Sequence, residues 1–99
     1  MAEHATVIDV SRYYPAEGKR AELLDAMRRL AAAASQAPGC FGSQVCTSEH
    51  DADALIAVSR WQSADALRGF AESSEFVAER EGLSGLLGRD AVREHFTSA

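Results

Sequence analysis

Apolar and polar residues alternate with a period of two in residues 5–14, ATVIDVSRYY. This alternation is typical of a strand that buries one face. One face of the predicted strand carries Thr6, Ile8, Val10 and Arg12, and the other carries Val7, Asp9, Ser11 and Tyr13. Pro15 and Gly18 follow and are expected to end the strand.

From about Glu17 to Gln36 the apolar spacing changes to the 3.6-residue period of an amphipathic helix. The apolar stripe is formed by Leu23, Met27, Leu30, Ala31 and Ala34. We expect this stripe to pack on a sheet. Pro38 and Gly39 then end the helix and turn the chain.

Two further strands are predicted at residues 40–48 and 54–61, joined by the polar segment 49–53. The short connection indicates an antiparallel hairpin. Strict alternation in the first of them predicts one face with Phe41, Ser43, Val45 and Thr47, and an opposite face with Cys40, Gly42, Gln44 and Cys46.

The last part of the chain predicts a helix and a final strand. Ser63 is a favourable N-cap residue, and the inward face of the helix carries Leu67, Phe70 and Ala71. The serines at 73 and 74 are expected to interrupt or restart this helix, which continues to Glu81. A short turn with Leu83, Leu86 and Leu87 and a strand at residues 90–96 complete the prediction.

The predicted order is strand, helix, strand, strand, helix, strand. This order is that of the α+β, ferredoxin-like split βαβ fold, in which an antiparallel sheet carries its helices on one face. Residues 1–99 are expected to form one domain. Nineteen of the 99 residues are alanine, which leaves little bulky apolar surface to bury. We therefore expect a homodimer, in which two sheets pack face to face as a dimeric α+β barrel.

Charge and cysteine usage limit the classes of partner. The net charge of −5 argues against nucleic acid, and no apolar run reaches membrane-spanning length. Cys40 and Cys46 lie about 20 Å apart if they share one strand, beyond disulfide reach. Without a secretion-signal pattern, the expectation is a cytoplasmic protein with two reduced thiols. The three histidines are isolated, so no metal site is predicted.

Three segments resemble one protein family: RYYPAEGKRAELLDAM, APGCFGSQV and LIAVSRWQSADALRGFAESSEF. They resemble, respectively, a first strand that turns into an amphipathic helix, a Pro-Gly step into the second strand, and a strand ending in tryptophan before a helix. Over roughly residues 6–80 the chain is similar to the antibiotic biosynthesis monooxygenase family of dimeric α+β barrels. The resemblance implies that fold and a homodimer.

The activity implied by the resemblance is oxidation of a small aromatic molecule. Some members oxygenate phenols to quinones with dioxygen and without metal or flavin, others degrade haem, and many have no demonstrated activity. Trp61 matches the tryptophan that ends the third strand in the family. Many members carry a histidine nine positions later, where this chain has Phe70. Phenylalanine neither transfers a proton nor ligates iron, so haem degradation is disfavoured and no cofactor is expected.

Candidate site residues follow from the predicted faces. A pocket between the sheet and the helices would be lined by Trp61, Phe70 and Leu67, and Arg12, Arg60, Ser11 or Tyr13 would provide polar contacts. The candidates for chemistry are Trp61, Arg60 and Ser11. Each has a structural alternative: the aromatic and apolar residues are also expected in a core, and an arginine on an apolar face also fits a sheet end or a dimer interface paired with an acid such as Asp9 or Glu94.

His95, on the last predicted strand, is a possible base or a solvated residue, whereas His4 and His50 are assigned no role. The first hypothesis is a cofactor-independent monooxygenase that acts on a phenol, a hydroquinone or a polyketide-like aromatic. The second is a non-catalytic dimeric protein that binds a small molecule in the same pocket. The third is a haem-binding or haem-degrading protein.

Overall fold

Four strands and three helices follow one another in residues 6–99, the part of the chain that this computed structural model describes. They are β1 (Val7–Pro15), α1 (Arg20–Ser35), β2 (Cys40–Thr47), β3 (Leu55–Trp61), α2 (Ala64–Ala71), α3 (Ser74–Ser84) and β4 (Leu87–Thr97). The hydroxyl of Ser73 accepts a hydrogen bond from the backbone N–H of Phe76 at 3.2 Å and so caps α3. The predicted restart of the helix is therefore confirmed.

The strands form one antiparallel sheet in the order β2-β3-β1-β4. This is the predicted ferredoxin-like α+β arrangement, with the second helix divided into α2 and α3. Leu23 and Met27 of α1 are almost fully buried against Leu55 of β3. A second cluster joins Ala34 of α1 to Trp61 of β3 and Leu67 of α2. No helix within residues 6–99 has the length and apolar character needed to cross a membrane.

The turn after α1 fixes where α2 begins. Gly39 has φ +82°, a conformation that favours glycine. A Cβ atom at this position would lie 2.7 Å from the Cβ of Ala66 in the first turn of α2. The Gly39 carbonyl also accepts a hydrogen bond from the backbone N–H of Gln62 at 2.8 Å. The turn is thus held against the start of α2, the helix that covers one end of the sheet.

The predicted faces of β2 are wrong at its start. Cys40 pairs with Trp61 and Gly42 pairs with Arg60, so Phe41 is an extra residue in a β-bulge. The bulge moves Cys40 to the helix side, where it packs with Trp61 and Leu67. Phe41 is 60% exposed instead of sharing the packed face of Val45. Strict alternation could not predict this because a bulge shifts the period by one residue.

The last strand is longer than predicted. β4 begins at Leu87, three residues before the predicted start, and runs to Thr97. Leu83 closes α3 instead of joining a separate turn. The pairing of β4 with β1 shifts register on either side of Tyr14. This irregularity explains why the start of β4 carries no clear alternation in the sequence.

The sheet face that points away from the helices is apolar. Residues paired directly across antiparallel strands point to the same face, and the register gives three rows. The rows are Phe96, Ile8, Arg60 and Gly42; Glu94, Val10, Val58 and Gln44; and Val92, Arg12, Ile56 and Cys46. We call these residues the open face. Val92 and Phe96 remain 51% and 45% exposed, which is unusual for large apolar side chains.

Candidate functional site

A small cavity of about 30 Å³ lies between the sheet and the helices. Its floor is the helix-facing side of β1 and β3, where Ser11 and Ser59 are 3% and 8% exposed. Val, Ile and Leu are usual at such positions, since burying a polar group costs free energy unless it is hydrogen-bonded. The cavity floor is therefore polar where a purely structural core would be apolar.

Three aromatic rings form the wall of the cavity. Trp61, at the end of β3, is fully buried, and its indole N–H donates a hydrogen bond to the Ser59 hydroxyl at 2.8 Å. The centroid of the Phe70 ring lies 5.5 Å from that of Trp61 and 5.3 Å from that of Phe76. These are favourable tilted and edge-to-face distances. The three rings form a continuous surface suited to contact with another planar ring.

A cluster of three charged or ionisable residues lies at the β4 side of the cavity. Asp9 is 7% exposed and accepts two hydrogen bonds from Arg93, Nε to Oδ1 at 3.0 Å and Nη2 to Oδ2 at 3.1 Å. His95 Nε2 lies 2.9 Å from the same Oδ1. Hydrogen bonding to Asp9 raises the pKa of the Arg93 guanidinium above its ordinary value. The buried carboxylate thus positions one permanent cation and one imidazole.

Arg93 connects the charged cluster to the aromatic wall. Its Cζ atom lies 5.7 Å from the centroid of the Phe76 ring, within cation–π range. Arg93 and Leu67 line both the cavity and a neighbouring open cleft of about 410 Å³ between α2 and β4. His95 borders this cleft as well. A small molecule in the cleft would therefore meet the imidazole and the guanidinium before it reached the aromatic rings.

Tyr13 lies at the other end of the polar floor and packs against the main core cluster. Burial raises the pKa of its phenol, and a hydrogen bond with Ser11 lowers it by a smaller amount. The net shift is upward, so Tyr13 is a neutral hydroxyl at neutral pH and provides a hydrogen-bond donor.

The raised pKa of Tyr13 predicts a loss of stability at alkaline pH. The protonated phenol is favoured in the folded state, so its contribution is intact below the unfolded pKa of about 10 and is lost as pH rises through the folded value. Tyr13→Phe should therefore reduce the difference in free energy of unfolding between about pH 8 and about pH 11. Urea unfolding at both pH values measures this. Tyr14→Phe is the matched control, and an equal reduction there would contradict the assignment.

The structure brings together five of the residues proposed from sequence. Trp61, Phe70, Leu67, Ser11 and Tyr13 all line the cavity.

Arg12 and Arg60 do not line the cavity. Both belong to the open face, because each is a strand neighbour of a residue that faces the helices. Ser11 and Arg12 are consecutive on β1 and point to opposite sides of the sheet. Arg12 lies 3.9 Å from Asp51 in a half-exposed ion pair. Neither arginine is in position to contact a ligand between the sheet and the helices.

Asp9 and Arg93 belong to the cluster but were not proposed as site residues. The signal was present in the alternation, since Asp9 shares the face of Ser11 and Tyr13, and Arg93 shares that of His95. What the sequence did not give was the pairing of Asp9 with His95 and of Ser11 with Arg93 across β1 and β4. Within residues 6–99 no three His, Cys, Asp or Glu side chains are grouped to hold a metal ion. His4 lies outside the described residues.

The sequence model of one family, described as antibiotic biosynthesis monooxygenase, matches residues 6–82. No curated protein is significantly similar in sequence. Solved structures share the fold at low identity. SnoaB from Streptomyces nogalater, described as a cofactor-independent oxygenase and solved as a single-residue variant, is 22% identical with a TM-score of 0.82, and the alignment covers 94% of this chain and 92% of SnoaB.

Two further structures show how widely the fold occurs. Rv0793 from Mycobacterium tuberculosis is 20% identical with a TM-score of 0.84, over 92% of each chain. A conserved protein from Methanosarcina mazei is 16% identical with a TM-score of 0.89, over 97% of this chain and 95% of that one. At these identities the likeness shows the fold alone.

Proposed function

Because the chain belongs to the antibiotic biosynthesis monooxygenase family, we propose that it is a cofactor-independent monooxygenase that oxidises a small electron-rich phenol or hydroquinone with dioxygen. The family includes such oxygenases, and SnoaB is described as one. The observation that carries the proposal for this chain is the cluster of Asp9, Arg93 and His95 beside three aromatic rings.

The cluster supplies what a phenol needs in order to react with oxygen. A phenolate transfers an electron far more readily than a phenol does, so the first requirement is a base. With Nε2 of His95 donating to the Asp9 carboxylate, Nδ1 is free to accept the phenolic proton. The imidazolium that forms is stabilised by Asp9, and the Arg93 guanidinium attracts the phenolate.

The reaction then proceeds between the substrate and oxygen. The phenolate passes one electron to dioxygen, and the superoxide and phenoxyl radical combine at the ring carbon para to the hydroxyl. The resulting peroxide takes back the proton held by His95. That carbon then loses its hydrogen as a proton while the O–O bond breaks. One oxygen atom remains as a quinone carbonyl and the other leaves as water, so phenol and dioxygen give quinone and water.

The direct test is oxygen uptake by the purified protein with a panel of phenols and hydroquinones. Labelled dioxygen should place one labelled oxygen atom in the quinone. Saturable quenching of the fluorescence of Trp61, the only tryptophan of the chain, with no oxygen uptake across the panel would favour a binding protein without turnover. A Soret band on haem titration, with turnover under a reductant, would favour the haem hypothesis.

Trp61→Phe tests whether the indole acts in the site or only in the core. The variant retains a ring but loses the hydrogen bond to Ser59, and we expect the free energy of unfolding to fall by about 2 kcal/mol. Oxygen uptake should fall further, by about a hundredfold, because a displaced ring misplaces the substrate stacked on it. Ser59→Ala removes the same hydrogen bond and keeps the indole. Equal loss of turnover in the two variants would mean that Trp61 is structural.

The assembly proposed is a homodimer through the open face. Family members typically form dimeric α+β barrels, and the open face here presents Val92 and Phe96 to solvent beside Ile8, Val10 and Val58. A contiguous apolar patch on a small domain marks an interaction surface. The helices leave this face uncovered, so a second copy covers it without closing the cavity on the other side of the sheet.

The compartment proposed is the cytoplasm. Cys40 and Cys46 are both free thiols in the described chain. Two unpaired cysteines in a small domain suit a reducing compartment, where disulfides rarely persist.

A further inference from the structure

We propose that Phe70 is the gate of the cavity and determines which molecules bind there. Its ring swings out into the groove between α1 and α2, and an aromatic ring of the ligand takes its place against Trp61 and Phe76. The inference rests on the proposed function for the site but concerns binding, which can be measured without turnover.

The cavity is too small for the ligand that its walls suit. It holds about 30 Å³, whereas a cavity that binds benzene needs roughly 150 Å³. One wall must therefore move before a ring can contact both Trp61 and the polar floor.

Phe70 is the aromatic residue that is free to move. Trp61 is fully buried and hydrogen-bonded to Ser59, and Phe76 is 6% exposed within the main core cluster. Phe70 is only partly buried and borders both the cavity and a groove of about 510 Å³ on the outer side of α2. Small residues, including Ala33, Ala66 and Gly69, line this groove. A ring that left the aromatic wall would therefore find open space.

The exchange is close to balanced for an aromatic ligand and not for an aliphatic one. When Phe70 leaves, Trp61 and Phe76 lose ring contacts at 5.5 Å and 5.3 Å from its centroid. A benzenoid ring in the vacated space restores a tilted contact with one and an edge contact with the other. An aliphatic ring of the same size restores burial without those geometries. The gate thus selects planar aromatic molecules.

The test measures binding of 4-nitrophenol, an electron-poor phenol that resists oxygenation, through quenching of Trp61 fluorescence. Gly69→Leu is the informative variant. No atom lies within 4 Å of a Cβ built at Gly69, so leucine is accommodated, extends into the groove and favours the helix. With the open state hindered, the dissociation constant should rise about tenfold or more. Gly69→Ala is the matched control and should bind as the native protein does.

Phe70→Ala provides the opposite change, because it leaves the cavity open. It should bind 4-nitrophenol more tightly and faster than the native protein, and cyclohexanol should compete better in this variant than in the native chain. Native affinity in Gly69→Leu, native association rate in Phe70→Ala, or no binding to the native protein would overturn the gate. Binding with these variant effects, but no oxygen uptake with any phenol, would support the gate and refute the monooxygenase.

Discussion

Replacing His95 with glutamine is expected to lower the rate of oxygen uptake by about 10² to 10⁴, the range that a positioned general base contributes. Glutamine can still hydrogen-bond to Asp9 but cannot accept a phenolic proton. The side chain of His95 is 55% exposed, so the variant should fold with little loss of stability. Steady-state oxygen uptake with a phenol that the native protein oxidises, beside a thermal unfolding curve, measures both quantities.

Asp9→Asn examines the same step from the carboxylate. It keeps the shape of the side chain but no longer stabilises the imidazolium, so uptake should fall by a further test of the same order, about 10²-fold. Because Arg93 loses its bidentate partner, some stability is lost as well. His50→Gln, in the exposed turn before β3, is the matched control for the histidine change. If His95→Gln retains uptake within about threefold of His50→Gln, the base is another group.

Periodicity predicted most of the fold because most elements have one buried face. Leu23, Met27 and Leu30 repeat at helical spacing and do form the buried stripe of α1. The hairpin and the restart of the helix at Ser73 also follow from local residue chemistry. The elements that differed are those where a non-local partner changes the pattern, namely the bulge at Phe41 and the early start of β4 beside Tyr14.

The candidate site was less predictable for a related reason. Alternation shows which residues share a face but not which face the helices cover, so Arg12 and Arg60 were grouped with residues of the opposite side. The contact between Asp9 and Arg93 joins positions 84 apart in the chain. Only the pairing of β1 with β4 brings them together, and that pairing is a property of the whole sheet.

Phe96→Asp is expected to convert the proposed dimer into monomers. Phe96 is 45% exposed on the open face and would be covered by the second copy. An uncompensated carboxylate at an apolar contact costs several kcal/mol, and a two-fold interface contains every residue twice. At roughly 2 kcal/mol for each copy, the dissociation constant of the dimer rises by about 10³. The wall of the cavity lies on the other side of the sheet, so the change does not alter it directly.

Sedimentation velocity over a range of concentrations measures the change in mass. Phe41→Asp is the matched control: Phe41 is even more exposed, at 60%, but lies at the bulge of the edge strand β2 and outside the rows of the open face. It should leave the sedimentation coefficient at the native value. A native protein that sediments as a monomer at high concentration would refute the dimer, and equal dissociation of both variants would locate the interface away from the open face. Because a small domain depends on its partner for buried apolar area, Phe96→Asp should also unfold at a lower temperature than Phe41→Asp.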